Sequence, residues 1–233
     1  PEPAPQDEVR ALTPVEGPDP EPEVVAARGE AEEPLDPEVR PLGGGEAQAQ
    51  LVVREGPVGR GEDRGARFLG LRRGAERRLR GGHLWVFSNE IDTARTPLGG
   101  FAPGDLVCVR DAAGAVLGSA YMEPQSLICA RLFAPGEQRP LDERLFRERL
   151  DAALAGREAA FDRPFYRLVY GDSDTLPGVV IDRFGDYLVV QFNNEGIERH
   201  RAGLLAALVA QLQPRGILLR GDSRSRREQG LPG

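Results

Sequence analysis

The sequence contains no lysine, so all 30 of its basic residues are arginine. It has only two cysteines, Cys108 and Cys129, which form no CxxC pair and have no histidine beside them. This argues against a disulfide framework or a zinc site and predicts two buried, reduced thiols. No apolar run approaches the roughly 18 residues of a membrane span, and no basic start precedes an apolar stretch. We therefore expect no membrane partner and a cytoplasmic location.

Sequence motifs for nucleotide binding and covalent catalysis are also missing. No GxGxxG or GxxxxGK[ST] loop follows a predicted strand, and there is no serine nucleophile elbow. Neither cysteine has a base near it in sequence. The sequence therefore predicts no catalytic, cofactor-binding or metal-binding residue in this chain and favours a binding function.

The first part of the chain has little that could build a core. No aromatic residue precedes Phe68, and eleven of the twenty prolines lie between Pro1 and Pro57. Such a stretch cannot bury enough apolar surface to offset the entropy lost on ordering. Residues 1–66 are predicted to be a disordered acidic tail, because the first 65 carry sixteen acidic residues against six arginines. The remainder carries twenty-one against twenty-four, which is compatible with a nucleic-acid partner.

Short strands with alternating polarity follow the tail. Leu106–Arg110, Val116–Tyr121 and Leu127–Phe133 are predicted to form a β meander, and Leu84–Phe87 adds one apolar strand or turn. Short strands joined by turns that contain glycine and proline suit a small barrel, since closure removes exposed edges. Residues 67–139 are therefore predicted to form a small barrel.

The pattern then becomes mixed. Leucines at helical spacing from Leu141 to Leu154 predict a connecting helix within residues 140–163. Beyond it the sequence predicts three strands, a helix and a strand: Phe165–Tyr170, Val179–Arg183, Tyr187–Phe192, Glu195–Leu212 and Gly216–Arg220. Leu176–Gly178 suits a type II turn. The fold class is thus mixed α/β, with an α+β domain at 164–233 that we expect to be incomplete, because no strand follows Arg220 to finish its sheet.

One segment combines positive charge, glycine and aromatic residues in a way that is typical of RNA binding. Guanidinium groups can contact phosphates, and an accessible ring can stack on an unpaired base. An alternative stays open, in which this is a solvated arginine-rich loop, Trp85 and Phe87 are core residues and His83 only caps a turn. The predicted RNA-binding residues are Arg72, Arg73, Arg77, Arg78, Arg80, His83 and Trp85.

Carboxylates cluster around the Leu-Pro-Gly turn, at Asp172, Asp174, Asp182 and Asp186. Such a group can hold a hard metal ion or supply an acid/base pair, which would suit a metal-dependent hydrolase. The structural interpretation is the stronger one, because Asx turns are expected here and Asp182 can pair with Arg183 or Arg220.

Two motifs, GHLWVFSNEI and YRLVYGDSDTLPGVVIDRFGDYLVVQF, resemble the large-subunit rRNA cytosine-C5 methyltransferases that carry an N-terminal PUA domain. The resemblance runs from about Phe68 to Gly233. It implies that residues 67–139 are a PUA-type RNA-binding barrel and that residues 164–233 are the central domain of that family. The sequence departs from the family pattern at Leu84 and Gln229, and neither change removes a charge that would contact phosphate.

The resemblance also implies an enzyme whose active site lies elsewhere. That family continues, after a stretch similar to RGDSRSRREQGL, into a Rossmann-like domain that binds S-adenosylmethionine and holds the catalytic cysteine. Cys108 and Cys129 match no catalytic position. The implied function is recognition of large-subunit rRNA for methylation by a domain beyond Gly233, with a homodimer also considered. The alternative is a stand-alone RNA-binding adaptor, and reading the gene beyond Gly233 separates the two.

Overall fold

The structure, a computed structural model, describes residues 23–25, 67–228 and 231. In this part of the chain two five-stranded sheets are present. The strands are β1 (Glu23–Val25), β2 (Phe68–Gly70), β3 (Trp85–Phe87), β4 (Leu106–Arg110), β5 (Val116–Met122), β6 (Ile128–Pro135), β7 (Phe165–Tyr170), β8 (Val179–Phe184), β9 (Tyr187–Phe192) and β10 (Gly216–Leu219). The helices are α1 (Glu76–Arg80), α2 (Glu143–Ala160), α3 (Glu195–Glu198), α4 (Arg201–Leu212) and α5 (Arg224–Glu228).

The first sheet is the predicted meander with one extra strand on each side. Its order is β2-β4-β5-β6-β3, with β2 parallel to β4 and the other pairs antiparallel. The edges meet just beyond β2 and β3, where Leu71 and Ile91 form an isolated bridge. The amide of Arg72 donates to the carbonyl of Glu90 at 2.8 Å. These bonds join the two edges, so the sheet curls into a small barrel and neither edge is left open along its whole length.

The barrel interior is apolar and includes one of the two cysteines. Cys129 lies in this core, and Cys108 is buried as well; both are free thiols. Burial raises the pKa of the Cys129 thiol to about 12. The prediction of buried, reduced cysteines is therefore confirmed. The fully buried aliphatic residues of this core include Leu69, Leu71, Val86, Ile91, Val109 and Leu132.

Helix α2 begins after Asp142, whose carboxylate accepts a hydrogen bond from the Leu145 amide at 2.9 Å. This is N-capping, which satisfies one of the amides left free at a helix start. The helix buries Leu145, Phe146 and Leu150 in the core of the second sheet. It is thus part of the second domain's packing as well as the connection from the barrel. In the described residues, no helix has both the length and the apolar character that a membrane crossing requires.

The second sheet has the order β1-β10-β9-β8-β7. Strands β7, β8 and β9 are antiparallel neighbours, and β10 is parallel to β9 after the crossover through α3 and α4. The predicted succession of three strands, a helix and a strand is therefore observed. The predicted single helix over Glu195–Leu212 is wrong in one respect, because α3 ends at Glu198 and α4 starts afresh at Arg201.

A segment of the N-terminal tail takes part in this sheet. Glu23–Val25 pairs antiparallel with β10 and occupies its outer edge. For these three residues the expectation of a tail without structure is wrong. The strand that joins β10 comes from before the barrel, which the expectation about strands after Arg220 did not consider. The rest of the tail, residues 1–22 and 26–66, lies outside the described residues. Whether the second domain is incomplete stays a prediction.

The barrel and the second domain share a buried contact. Tyr121 and Phe133 come from the barrel strands, yet they belong to the core of the second domain. The Tyr121 hydroxyl donates to the Pro177 carbonyl and accepts a bond from Asn194 Nδ2 at 3.2 Å. A side chain on Gly196 would place its Cβ 2.4 Å from the Tyr121 ring, so this position requires glycine. Burial raises the pKa of Tyr121 above its usual range.

The predicted type II turn forms part of that contact. The Val179 amide donates to the Leu176 carbonyl at 3.1 Å, and Gly178 has a φ of 79°. A positive φ at this position is the defining requirement of a type II turn. The turn presents the Pro177 carbonyl to Tyr121, which is how a local sequence signal becomes a long-range contact.

Candidate nucleic-acid interface

The arginine-rich segment is not the flexible loop that the sequence suggested, because Glu76–Arg80 forms the short helix α1. The Glu76 carboxylate accepts a bond from the Gly74 amide at 2.7 Å, and buried Leu79 anchors the helix to the barrel core. Consecutive side chains on a helix point in different directions. The arginines of α1 are therefore distributed around it and do not form one uniform patch.

Three of the five predicted arginines are engaged within the barrel. Arg78 forms an ion pair with Glu90 at 2.8 Å. Arg80 pairs with the largely buried Asp111 at 2.7 Å. The Nε of Arg72 donates to a backbone carbonyl beside the barrel closure at 2.9 Å. These contacts connect α1 and the closure to other parts of the barrel, so we assign Arg72, Arg78 and Arg80 a structural role.

The other two arginines have exposed side chains without a partner. Arg73 and Arg77 make no hydrogen bond or ion pair with any residue that the structure describes. His83 follows them on the surface, after Gly82, whose φ is 96°. Free guanidinium groups beside exposed backbone are suited to contacts with phosphate oxygens. Of the predicted cluster, these two arginines have all their side-chain donors available for a ligand.

The interpretation of Trp85 as a core residue is wrong, because 38% of its surface is exposed. Strand β3 lies at the edge of the sheet, and Val86 is the residue that points into the barrel. Side chains alternate along a strand, so Trp85 lies on the outer surface. Phe87 is half-buried, with the Arg78 guanidinium 4.6 Å from the centre of its ring.

Sequence reasoning missed Arg131, which lies opposite Trp85 in the β3–β6 ladder. Its guanidinium carbon is 5.5 Å from the centre of the Trp85 ring system. Arg131 is half-buried and makes no hydrogen bond or ion pair with a described residue. The signal was present in the sequence, since Arg131 is the only charged residue within the apolar strand Ile128–Pro135.

One carboxylate lies near Arg131 without pairing with it. Glu123 follows β5 and is almost completely buried. Burial raises the pKa of its carboxyl group, and Arg131 acts weakly in the opposite direction. Among the described residues no ion pair joins the two side chains, and Glu123 Oε1 has no hydrogen-bond partner. Arg131 therefore keeps its hydrogen-bond donors.

The carboxylates near the Leu-Pro-Gly turn do not form a shared site. Asp174 binds Arg157 at 2.7 Å and the Tyr170 amide at 2.6 Å. Asp182 pairs with Arg167 at 2.8 Å across the β7–β8 ladder, and not with the arginines that the sequence suggested. No group of three or more potential metal ligands occurs among the described residues. The metal-dependent hydrolase thus gains no support.

Comparison with known proteins agrees with the barrel architecture of the first sheet. Residues 69–135, which include all five barrel strands except Phe68, match the model of a PUA-like domain family. The chain carries a PUA-like domain. Over 164 residues it is 34% identical to the ribosomal RNA large subunit methyltransferase I of Pseudoalteromonas translucida and 38% identical to that of Erwinia tasmaniensis. Each alignment covers 69% of this chain and 41% of the relative, so the chain spans about two fifths of the relatives' length.

The fold also occurs in solved methyltransferase structures. A Streptococcus mutans protein described as a candidate SAM-dependent methyltransferase, and SMU.776, described as a candidate methyltransferase complexed with SAH, each match with a TM-score of 0.55 and 22% identity. They cover 64% of this chain and 39% and 38% of their own chains. At this identity the match shows the shared fold alone. The family resemblance predicted from the two sequence motifs is confirmed by the curated relatives.

Proposed function

We propose that this chain is the RNA-recognition part of an S-adenosylmethionine-dependent methyltransferase that modifies cytosine C5 in large-subunit rRNA. The observation that carries the proposal is the surface of the PUA-like barrel, where Arg73 and Arg77 have free guanidinium groups close in sequence to the exposed ring of Trp85. The relatives' name, ribosomal RNA large subunit methyltransferase I, supports RNA as the ligand.

The barrel surface suits single-stranded or irregular RNA better than a regular duplex. The deep, narrow major groove of A-form RNA does not admit side chains, whereas unpaired bases can stack on an aromatic ring. Arg73 and Arg77 would contact phosphates and fix the register, and the backbone at Gly81 and Gly82 allows a close approach. His83 would add a contact at the same end of β3.

The methyl group would come from S-adenosylmethionine bound outside the described residues. The residues present here do not fit a site for that cofactor, because both cysteines are buried and no glycine-rich loop follows a strand. This chain would therefore supply RNA affinity and position, and the chemical step would belong to another domain. A cytoplasmic location and a homodimer stay predictions.

Salt-dependent RNA binding tests the proposal. The probe is a fluorescein-labelled RNA stem-loop of about 20 nucleotides with an unpaired loop, measured by anisotropy between about 50 and 200 mM KCl. We expect the affinity to fall steeply as the salt concentration rises. In the Arg73→Gln/Arg77→Gln double variant, the slope of the logarithm of the binding constant against the logarithm of the salt concentration should be smaller in magnitude by about 1.5. The reason is that each lost phosphate contact reduces this slope by roughly 0.7–0.9.

Arg144→Gln is the control, because Arg144 lies on α2, outside the barrel sheet, with a highly exposed side chain that forms only a surface ion pair with Glu148. It should leave both affinity and slope unchanged. Binding without salt dependence, or a double variant that behaves like the control, would show that the arginines of the α1 region are not the RNA contact.

A further inference from the structure

A row of side chains crosses the outer face of the barrel. The ladder registers place Leu106 beside Tyr121, Tyr121 beside Arg131, and Arg131 beside Trp85, across β4, β5, β6 and β3. Directly paired residues in an antiparallel sheet lie on the same face. The second domain covers this row at Tyr121. Arg131 and Trp85 extend from this contact to the edge of the sheet, where they reach solvent.

Arg131 shares one feature with Arg110, which lies 5.9 Å from the centre of the Phe68 ring, because neither has a carboxylate partner among the described residues. It differs from the other two barrel arginines that lie over aromatic rings. Arg78 lies over Phe87 and also pairs with Glu90. Arg67 lies over a ring and pairs with Asp105 at 2.5 Å. In both cases the guanidinium forms an ion pair with a carboxylate in addition to its contact with the ring. Arg131 has the ring contact without any acceptor among the described residues, so its donors point to a ligand outside this chain.

We propose that Trp85 and Arg131 together bind an unpaired guanine base of RNA. The indole stacks on the base, and the guanidinium donates two parallel hydrogen bonds to the guanine O6 and N7 atoms. This inference rests on the proposed function, because it requires RNA on the barrel surface, and it adds the base that the surface selects.

Guanine is the base that matches the donors of Arg131. Its O6 and N7 are two adjacent acceptors, the pattern that an arginine fork satisfies. Adenine presents N7 beside an amino donor, so the second arginine donor would meet another donor. In the major groove cytosine offers only the N4 donor, but an unpaired cytosine also has the adjacent acceptors N3 and O2 and is therefore the competing pyrimidine, whereas the uracil edge has no pair of adjacent acceptors. Stacking on Trp85 would be available to all four bases, so selectivity comes from Arg131.

The test uses the fact that Trp85 is the only tryptophan in the chain. Tryptophan emission therefore reports on this residue alone. The probes are the RNA heptamers UUUGUUU and UUUAUUU, and a version of the first with 7-deazaguanine, which lacks the N7 acceptor. We expect UUUGUUU to quench the emission and to bind about tenfold more tightly than UUUAUUU. The 7-deazaguanine heptamer should lose a large part of that preference.

Two variants separate the roles of the pair. Arg131→Lys keeps the charge but loses the planar fork, so it should remove the preference for guanine while the affinity for UUUAUUU stays the same. Trp85→Leu has no tryptophan signal, so its binding is followed by the anisotropy of fluorescein-labelled heptamers. It should weaken all three heptamers by about fivefold or more, because stacking is lost. Arg144→Lys and Phe184→Leu, at exposed positions in the second domain, are the matched controls. Near-UV circular dichroism and thermal unfolding show whether each variant is folded.

The outcomes distinguish this inference from the proposed function. Equal affinities for the three heptamers, or a guanine preference that survives in Arg131→Lys, would overturn the guanine site even if RNA still binds with the predicted salt dependence. RNA binding that is absent for the stem-loop and the heptamers alike would overturn the proposed function and this inference together.

Discussion

Gly178, at the contact between the barrel and the second domain, shows how one added carbon atom would disturb the packing. At Gly178 an added Cβ would lie 1.9 Å from Asn194 Nδ2, and the residue has a positive φ. At Gly114, in the β4–β5 turn, φ is also positive, but nothing lies within 4 Å of an added Cβ. The two positions therefore share the backbone requirement and differ in the space around them.

This pair gives a prediction at the residue scale. Gly178→Ala should lower the free energy of unfolding by about 2–5 kcal/mol, the sum of left-handed backbone strain and overpacking against Asn194. Gly114→Ala should cost only the backbone part, about 1–2 kcal/mol. Urea unfolding monitored by circular dichroism measures both values. If the two substitutions lower the free energy of unfolding equally, then the Asn194 side chain moves away from the added Cβ without a measurable loss of stability.

At the residue scale the structure also changes the account of the arginine cluster. The cluster is one segment in sequence, but Arg78 and Arg80 have carboxylate partners 12 and 31 residues away. Only the fold brings Glu90 and Asp111 to them. Clustering in sequence therefore identified the region that we propose as the RNA contact, and it could not say which members have no partner among the described residues.

Among the elements, α2 links the barrel to the second sheet and begins at a well-formed N-cap. Asp142→Ala should lower the free energy of unfolding by about 1 kcal/mol, because the Leu145 amide loses its acceptor. Asp142→Asn is the control, since its side-chain oxygen still accepts that bond. Urea unfolding distinguishes the two, and a loss as large for Asn as for Ala would assign the effect to the charge of Asp142 instead of the cap.

The bounds of strands were predicted correctly where the alternation of polar and apolar residues extended over five or more residues. Leu106–Arg110, Phe165–Tyr170 and Tyr187–Phe192 have the bounds that alternation predicted. The three-residue strand β2 and the five-residue helix α1 were missed. A strand of three residues is too short to show alternation, and a helix of five residues is too short to show a helical period. The stability of such elements comes from tertiary packing, as when Leu79 packs into the barrel core.

For the whole molecule, the contact of Tyr121 with Pro177 and Asn194 brings a barrel side chain into the core of the second domain. Tyr121→Phe should lower the free energy of unfolding by about 1–3 kcal/mol, because a buried carbonyl and a buried amide lose their partner while the ring stays in place. Differential scanning calorimetry also reports cooperativity. We expect one transition in the native chain and a broadened or divided transition in the variant.

Tyr166→Phe is a suitable comparison, because its hydroxyl accepts a bond from Arg183 within the second domain alone. It should not change the number of transitions. If Tyr121→Phe unfolds as cooperatively as Tyr166→Phe, then the apolar packing of Phe133 and its neighbours is sufficient to couple the two domains, and the hydroxyl contributes stability only.

The sequence by itself determined the order of the longer strands and helices, the type II turn and the PUA-like resemblance, and it suggested the region that we propose as the RNA contact. These features depend on periodicity and on local backbone conformation, which are determined by residues that are close in sequence. The tertiary structure decided which arginines are free, that Trp85 is exposed and that Arg131 stands beside it. Those properties depend on residues that are distant in sequence and meet only when β3 pairs with β6 and the barrel closes.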